Sequence, residues 1–365
     1  MHRLTPIFLI VGLLFTMAGR AGATDFEEEL RKLAEKNAIG YVGPVSTALG
    51  TAMNSGLYHS AEPHKTFPIF GFDVMVKFTV VQVSDEDLTY DFFVGDSLAL
   101  ALPYTLQQQL GVDALVLNPE LIYPDRETPT AFGDDGRELL PTGADAELEQ
   151  ALLNAGMTPQ QIDLLRQSGE FANLVGDIPT IATVPGLGID KFPMVAPQLS
   201  LGLPMKSEVT VRYIPPTETD LGEADLLGIG IKHSLSQYIP LWQIVLPQIS
   251  AQFMWQKLTL GESLESTHTA FNVHISKSLP IPLISITPYV GMGIESSNLT
   301  VDYTIKGTGS PLDGENVSFD LDGNNSFRMT GGVRLGLVIP FLRVTADYSV
   351  GEYSAFTLGV GLSFR

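Results

Sequence analysis

From Phe192 to Arg365 apolar and polar positions alternate almost without a break. In the closing stretch, "AFTLGVGLSFR", Phe356, Leu358, Val360, Leu362 and Phe364 fall on one side. Ala355, Thr357, Gly359, Gly361, Ser363 and Arg365 fall on the other. Successive side chains of a strand point to opposite faces, so the pattern predicts a strand with one wholly apolar face. "RVTADYSV", "FRMTGGVRLGLVI", "ISITPYVGMGIES", "AFNVHIS", "ISAQFMWQ", "LLGIGIKHSLSQYI" and "VTVRYI" read the same way, and "GFDVMVKFTVVQV" adds a strand near the front. Short turn signals such as "IPFL", "VGEY" and "LPIP" separate several of them.

The opposite face carries Arg212, Lys232, His274, Glu295, Arg328, Arg334, Arg343 and Asp347 at mid-strand, among many Gly and Ser. A soluble sandwich turns its apolar stripes toward each other. A membrane barrel turns them to lipid and lines its lumen with small residues and charges able to pair. The expected fold is all-β: an antiparallel outer-membrane-type β-barrel of roughly 10–14 strands, with those eight residues facing the lumen. The apolar C-terminal strand then serves as the closing seam, since an exposed edge of that kind would aggregate.

Ahead of the strands, residues 1–23 read as a secretory signal peptide: His2 and Arg3, the apolar "IFLIVGLLF", then "AGA". Residues 24–60 read as a helical plug. "DFEEELRKLAEKN" sets Phe26, Leu30, Leu33 and Ala34 at helical spacing behind an acidic first turn. "VGPVSTALGTAMNSG" continues in small residues that can pack inside something else. Residues 61–365 make the barrel, interrupted at about 97–185 by a long, irregular, acidic insertion. Within it "MTPQQIDLLRQSG" predicts a helix capped by Thr158, opened by Pro159 and stopped by Gly169.

Composition narrows the function. Charged residues make up 17% of the chain and Gly contributes 35 positions, which suits a barrel better than a helical enzyme. A formal net charge of −20 argues against a nucleic-acid partner, which needs clustered Lys and Arg. With no Cys, disulfides, thiolate nucleophiles and Cys-ligated metals are excluded. Apart from the leader, no run is long and apolar enough for a membrane-spanning helix.

Candidate chemistry is sparse. His59 and His64 flank Glu62 in "HSAEPH", a possible metal set but more simply a turn tying the plug to the first strand. His233, His268 and His274 lie on or beside strands without a ligand-like spacing. "DLDGNN" (320–325) resembles a fragment of a calcium loop but lacks the closing Glu, Gly331 standing there instead, and reads as a polar hairpin. Ser55 and Ser60 beside His59 lack a nucleophile motif. Trp242, Trp255, Tyr238 and Tyr213 suit an interfacial aromatic belt. No catalytic residue, cofactor or metal site is expected.

"GVGLSFR" at the end resembles the terminal assembly signal of bacterial outer-membrane barrels, with Phe356, Leu358, Val360, Leu362 and Phe364 as its alternating residues and Arg365 departing from an aromatic last position. "YVGPVSTALGTAMNSGLYHSAEPHKTFPIFGFDVMV", "PTAFG", "PGLGIDKFPMVAPQLSLGLPMKSEVTVRYIPP" and "GIGIKHSLSQYIP" together resemble an uncharacterised family of exported bacterial proteins. A weaker likeness, of layout only, is to fatty-acid-transporter barrels with an N-terminal plug. The resemblances imply a protein of the Gram-negative outer membrane. Its partners would be outer-membrane lipid, the barrel-assembly machinery and a small solute, hydrophobic ones included, for which it is a channel or transporter. The rivals are a soluble secreted or periplasmic β-sandwich acting as a binding or structural module, and an outer-membrane hydrolase with His268 near a strand end.

Overall fold

A computed structural model describes residues 23–65, 71–219, 222–239, 246–261, 263–281, 284–304, 316–336 and 341–364. Residues 1–22 of the expected signal peptide, Trp242 and Arg365 lie outside them. Ten long antiparallel strands close into a barrel. They are β1 (Phe72–Gln82), β2 (Lys191–Leu203), β3 (Ser207–Thr219), β4 (Gly222–Ser234), β5 (Gln248–Leu260), β6 (Leu264–Ser276), β7 (Ile284–Thr304), β8 (Phe327–Gly336), β9 (Leu342–Val350) and β10 (Ser354–Phe364). Each pairs with its sequence neighbour, and β10 pairs with β1 in unbroken register from Phe72↔Phe364 to Gln82↔Ser354. The C-terminal strand is thus the seam, and the ring has no free edge to aggregate. A sandwich is ruled out, because the apolar stripes do not face one another.

They face outward. Along the seam Val80, Phe78, Val76, Val74 and Phe72 pair with Phe356, Leu358, Val360, Leu362 and Phe364. Of these ten residues all but Phe364, which is half-buried, are well exposed. The alternating positions Asp73, Lys77, Thr79, Thr357 and Ser363 are buried inside the ring. The same inversion runs round the wall, with Ile229, Ile231, Phe253, Phe271, Val290 and Met292 exposed. From Phe72 to Val80 the outward stripe measures about 26 Å along the strand, or about 20 Å of height once tilted as barrel strands are. At one rim Phe72, Phe364 and Phe341 group their rings. This rim, where β1 starts and β10 ends, is called the base.

Helix α1 (Ala23–Met53) is one continuous helix through Pro44. Residues 36–41 lie against the loops at the opposite rim, and residues 46–53 descend into the ring. Residues 54–64 carry the chain on to the base, nearly all of them buried.

Residues 83–190, which leave β1 and return to β2, form a cap on the rim opposite the base. The sequence suggested an irregular insertion. The structure instead holds α2 (Tyr104–Leu110), α3 (Pro119–Ile122), α4 (Ala144–Asn154), α5 (Pro159–Ser168), α6 (Glu170–Gly176) and three short two-stranded sheets. Its core is conventional: Leu106, Leu117, Ile122, Leu139, Leu148, Leu152, Ile162 and Leu174 pack together, sealed from solvent. Helix α5 has the expected ends. Thr158 makes a capping box with Gln161, and Gly169 takes the left-handed conformation at φ 83°. The cap's stems are pinned where Val83 donates to the Asp190 carbonyl at 2.9 Å and the Gln82 amide to its carboxylate at 3.0 Å. The latter bond, then Lys191, holds the Asp190 carboxyl below its usual range.

Candidate functional site

The lumen is filled. Its wall presents Lys77, Arg212, Lys232, Arg328 and Arg334 with Asp73, Glu208, Glu295 and Asp347, all sealed from solvent. Isolated charges in such a place would cost several kcal/mol each, so they persist only where paired and hydrogen-bonded. Arg328 forks onto Glu295 at 2.9 and 2.8 Å. Lys232 meets Glu208 at 2.6 Å. Tyr289 donates to Asp347 at 2.8 Å and Lys77 to Thr345 at 3.1 Å.

The plug completes the pairing. The Arg212 guanidinium donates to the carbonyls of Met53 at 2.6 Å and Ser55 at 2.8 Å, and to Gln198 at 3.0 Å. Gln256 donates to the Met53 carbonyl at 2.9 Å as well. These carbonyls lie at the C-terminus of α1, where a cation both satisfies orphan acceptors and meets the negative end of the helix dipole. Arg328 also reaches the Ser55 hydroxyl at 2.5 Å.

Below this, Tyr58 stacks on His274 with ring centres 4.2 Å apart and planes 6° from parallel. Gly291 makes room for it, since a Cβ there would stand 2.3 Å from the Tyr58 hydroxyl. Gly56 turns the chain at φ 64°, a region that glycine enters without strain. His59 Nε2 lies 3.0 Å from Asp73. At the base, His64 Nδ1 sits 2.6 Å from Glu208 and its Nε2 3.3 Å from the Ser363 hydroxyl. That last row has the order of a Ser–His–acid relay, but all three side chains are sealed from solvent and Lys232 engages the same carboxylate. It works as a latch between plug, β3 and β10. Among the described residues Gln252 Oε1, Asn272 Nδ2 and Asp347 Oδ1 lack a protein partner, positions of the kind that ordered water fills.

Of the eight residues expected in the lumen, Arg212, Lys232, His274, Arg328, Arg334 and Asp347 are buried inside the ring. The Glu295 side chain is buried against Arg328. Arg343, half-buried near the base, bonds the Leu342 carbonyl at 2.9 Å. Reading the strands missed Lys77, Asp73, Glu208, Gln198, Gln252 and Gln256. Their signal was present, since each alternates with an apolar neighbour.

The histidines do not gather. Glu62 is exposed, while His59 points inward to Asp73 at 3.0 Å and His64 to Glu208 at 2.6 Å, with Asp73 3.9 Å from its other ring nitrogen. His233 bonds Ser207 and Tyr238, and His268 is buried against Ser266 at 2.9 Å, not at a rim. No group of three potential ligands stands ready for a metal among the described residues. "DLDGNN" is a hairpin end rather than a calcium loop. Asp320 and Asp322 bond Thr300 and Asn298 on the neighbouring strand, while Asn325 donates to Thr51 of α1 at 2.6 Å. Ser55 and Ser60 serve the plug, Ser55 accepting from Arg328 and Ser60 capping the Glu62 amide. Tyr213 points outward and Tyr238 is exposed at a base turn.

Fold and lumen together define a class: a closed, outwardly apolar β-barrel filled by its own N-terminal segment. By sequence, the chain belongs to the family described as "Family of unknown function (DUF6588)", whose profile matches residues 1–364. No curated protein matches it.

Proposed function

We propose that this protein is an outer-membrane β-barrel of a Gram-negative bacterium, a gated route for small solutes that its N-terminal segment holds shut. The observation that carries the reading is the inverted wall. Only a surrounding of hydrocarbon makes a continuous girdle of exposed Val, Ile, Leu and Phe favourable over the buried polar face behind it. No helix in the described residues is long and apolar enough to cross a membrane, so the strands do the crossing. Lipid contacts the girdle, and the outward row from Phe356 to Phe364 is what the barrel-assembly machinery would read. The plug runs through the lumen from Met53 to His64 against the wall's Arg212 and Glu208, and passage requires it to shift. The polar wall favours small hydrophilic solutes over the hydrophobic ones that the fatty-acid-transporter likeness suggested.

Cell fractionation with gel migration of unboiled and boiled protein tests the membrane reading. An outer-membrane protein that runs faster unboiled is expected; a soluble periplasmic protein with one mobility refutes it. In planar bilayers the wild type should conduct little, and removing the contacts of Arg212 with the plug (Arg212→Met) should raise conductance. Equal conductance of the two would refute the gating.

A further inference from the structure

The plug does not merely sit in the mouth of the ring; it runs from rim to rim. At the cap end Tyr41 accepts from the Ala131 amide through its carbonyl at 2.9 Å, and Asn37 exchanges hydrogen bonds with Phe93. Midway Met53 meets Arg212, and at the base His64 meets Glu208 and Ser363 beside the start of β1. Residues 36–41 of α1 therefore lie with the cap, on the side of the barrel opposite the end at which β1 begins.

The wall is built to hold a main chain there. Gln198, Arg212, Lys232, Ser250, Gln252 and Gln256, all on β2 to β5, donate to the carbonyls of Met53, Ser55, Leu57, Ser60 and Ala61. This ladder reads backbone, not side chains, and the segment it holds includes the small residues Ser55, Gly56, Ser60 and Ala61. The two rims differ in their connections. The link from β1 to β2 at the cap end spans residues 83–190, whereas the link from β2 to β3 at the base spans only 204–206. In outer-membrane barrels the long connections face outward and the short ones the periplasm.

We propose that the lumen is a polypeptide route whose occupant is this chain's own N-terminal segment. The segment crosses the membrane inside the barrel along the β2–β5 ladder, so that α1 up to Tyr41 is displayed with the cap on the cell's outer face. This rests on the outer-membrane reading above.

The chain has no Cys, so single cysteines report position directly. Lys36→Cys on α1, Tyr104→Cys on the cap and Met205→Cys in a base turn are each exposed positions. They are treated with a membrane-impermeant maleimide on intact cells and again after the outer membrane is permeabilised. The route predicts labelling of intact cells at 36 and 104, and at 205 only after permeabilisation. If 36 labels with 205 instead of with 104, the segment does not thread the barrel and the proposal falls, while the outer-membrane reading stands. If 205 labels on intact cells and 36 and 104 do not, the outward display is wrong. A protein recovered soluble, with all three sites behaving alike, overturns the outer-membrane reading itself. Unboiled migration confirms that each variant has closed its barrel. Ile39→Cys, also exposed, replaces Lys36→Cys should that variant fail to assemble.

Discussion

Leu148 in the cap and Leu358 in the barrel are the same residue under opposite rules. Leu148 is fully buried among other apolar side chains, whereas Leu358 is 42% exposed with Thr357 and Gly359 buried on either side of it. The contrast extends to charge. Residues 83–190 hold 19 Asp and Glu against three Arg and no Lys, a net −16 of the chain's −20. Their acidic groups are mostly exposed, as in any water-soluble domain. Inside the barrel, charges such as Arg328 and Glu295 or Lys232 and Glu208 are buried and paired. The membrane setting proposed above accounts for both patterns in one chain: water around the cap, hydrocarbon around the wall.

Substitutions can break that contrast. The largest effect is expected from Leu148→Asp, which places a carboxylate in the cap core and should cost about 4 kcal/mol or more. Proteolysis of the cap, with the barrel still migrating fast unboiled, would display it. Next is Arg328→Met, which strands Glu295 in the lumen at a cost of about 3–5 kcal/mol. Adding Glu295→Leu should restore most of the loss, measured as the urea midpoint of refolding into lipid. Leu358→Arg should cost about 2–4 kcal/mol on the lipid face. Leu164→Arg on the cap surface, where Leu164 is also exposed to begin with, should stay within about 0.5 kcal/mol. Equal effects of these two would erase the distinction between the regions. Thr158→Ala should remove about 1 kcal/mol from α5 by breaking its capping box.

The mildest effect is one of pH. Burial pushes the Tyr123 phenol up to about 12, and its hydroxyl donates to the Pro179 carbonyl. Above pH 10 the unfolded cap gives up this proton more readily than the folded one, so stability present below pH 10 declines as pH rises toward 12. Tyr123→Phe should lower cap stability at neutral pH and flatten that decline, as followed by circular dichroism of the alkaline transition.

Much of this was legible in the sequence. Period-two alternation located the wall strands, and mid-strand charges such as Arg212 and Asp347 marked the inner face, because a strand's side chains have only two directions to take. The helix at 159–168 was legible because Thr158, Pro159 and Gly169 act locally. The closed ring was inferable from the apolar seam strand. The cap was not, because its core comes from short, scattered segments such as Leu98–Ala101 and Ala114–Leu117, each too brief to show a period. Nor was the plug's course. His59, His64 and Tyr58 sit in a stretch with no regular repeat, and the partners of His64 and Tyr58, Glu208 and His274, are distant in sequence.

The central claim is that hydrocarbon surrounds the wall, and collision accessibility of a nitroxide tests it most directly. Phe78→Cys at mid-wall and Tyr104→Cys on the cap are spin-labelled in lipid vesicles, and their relaxation by oxygen is compared with that by a water-soluble nickel complex. The account requires oxygen to dominate at position 78 and the nickel complex at position 104. Dominance of the nickel complex at position 78 would mean that water bathes the wall, and the membrane reading would be wrong.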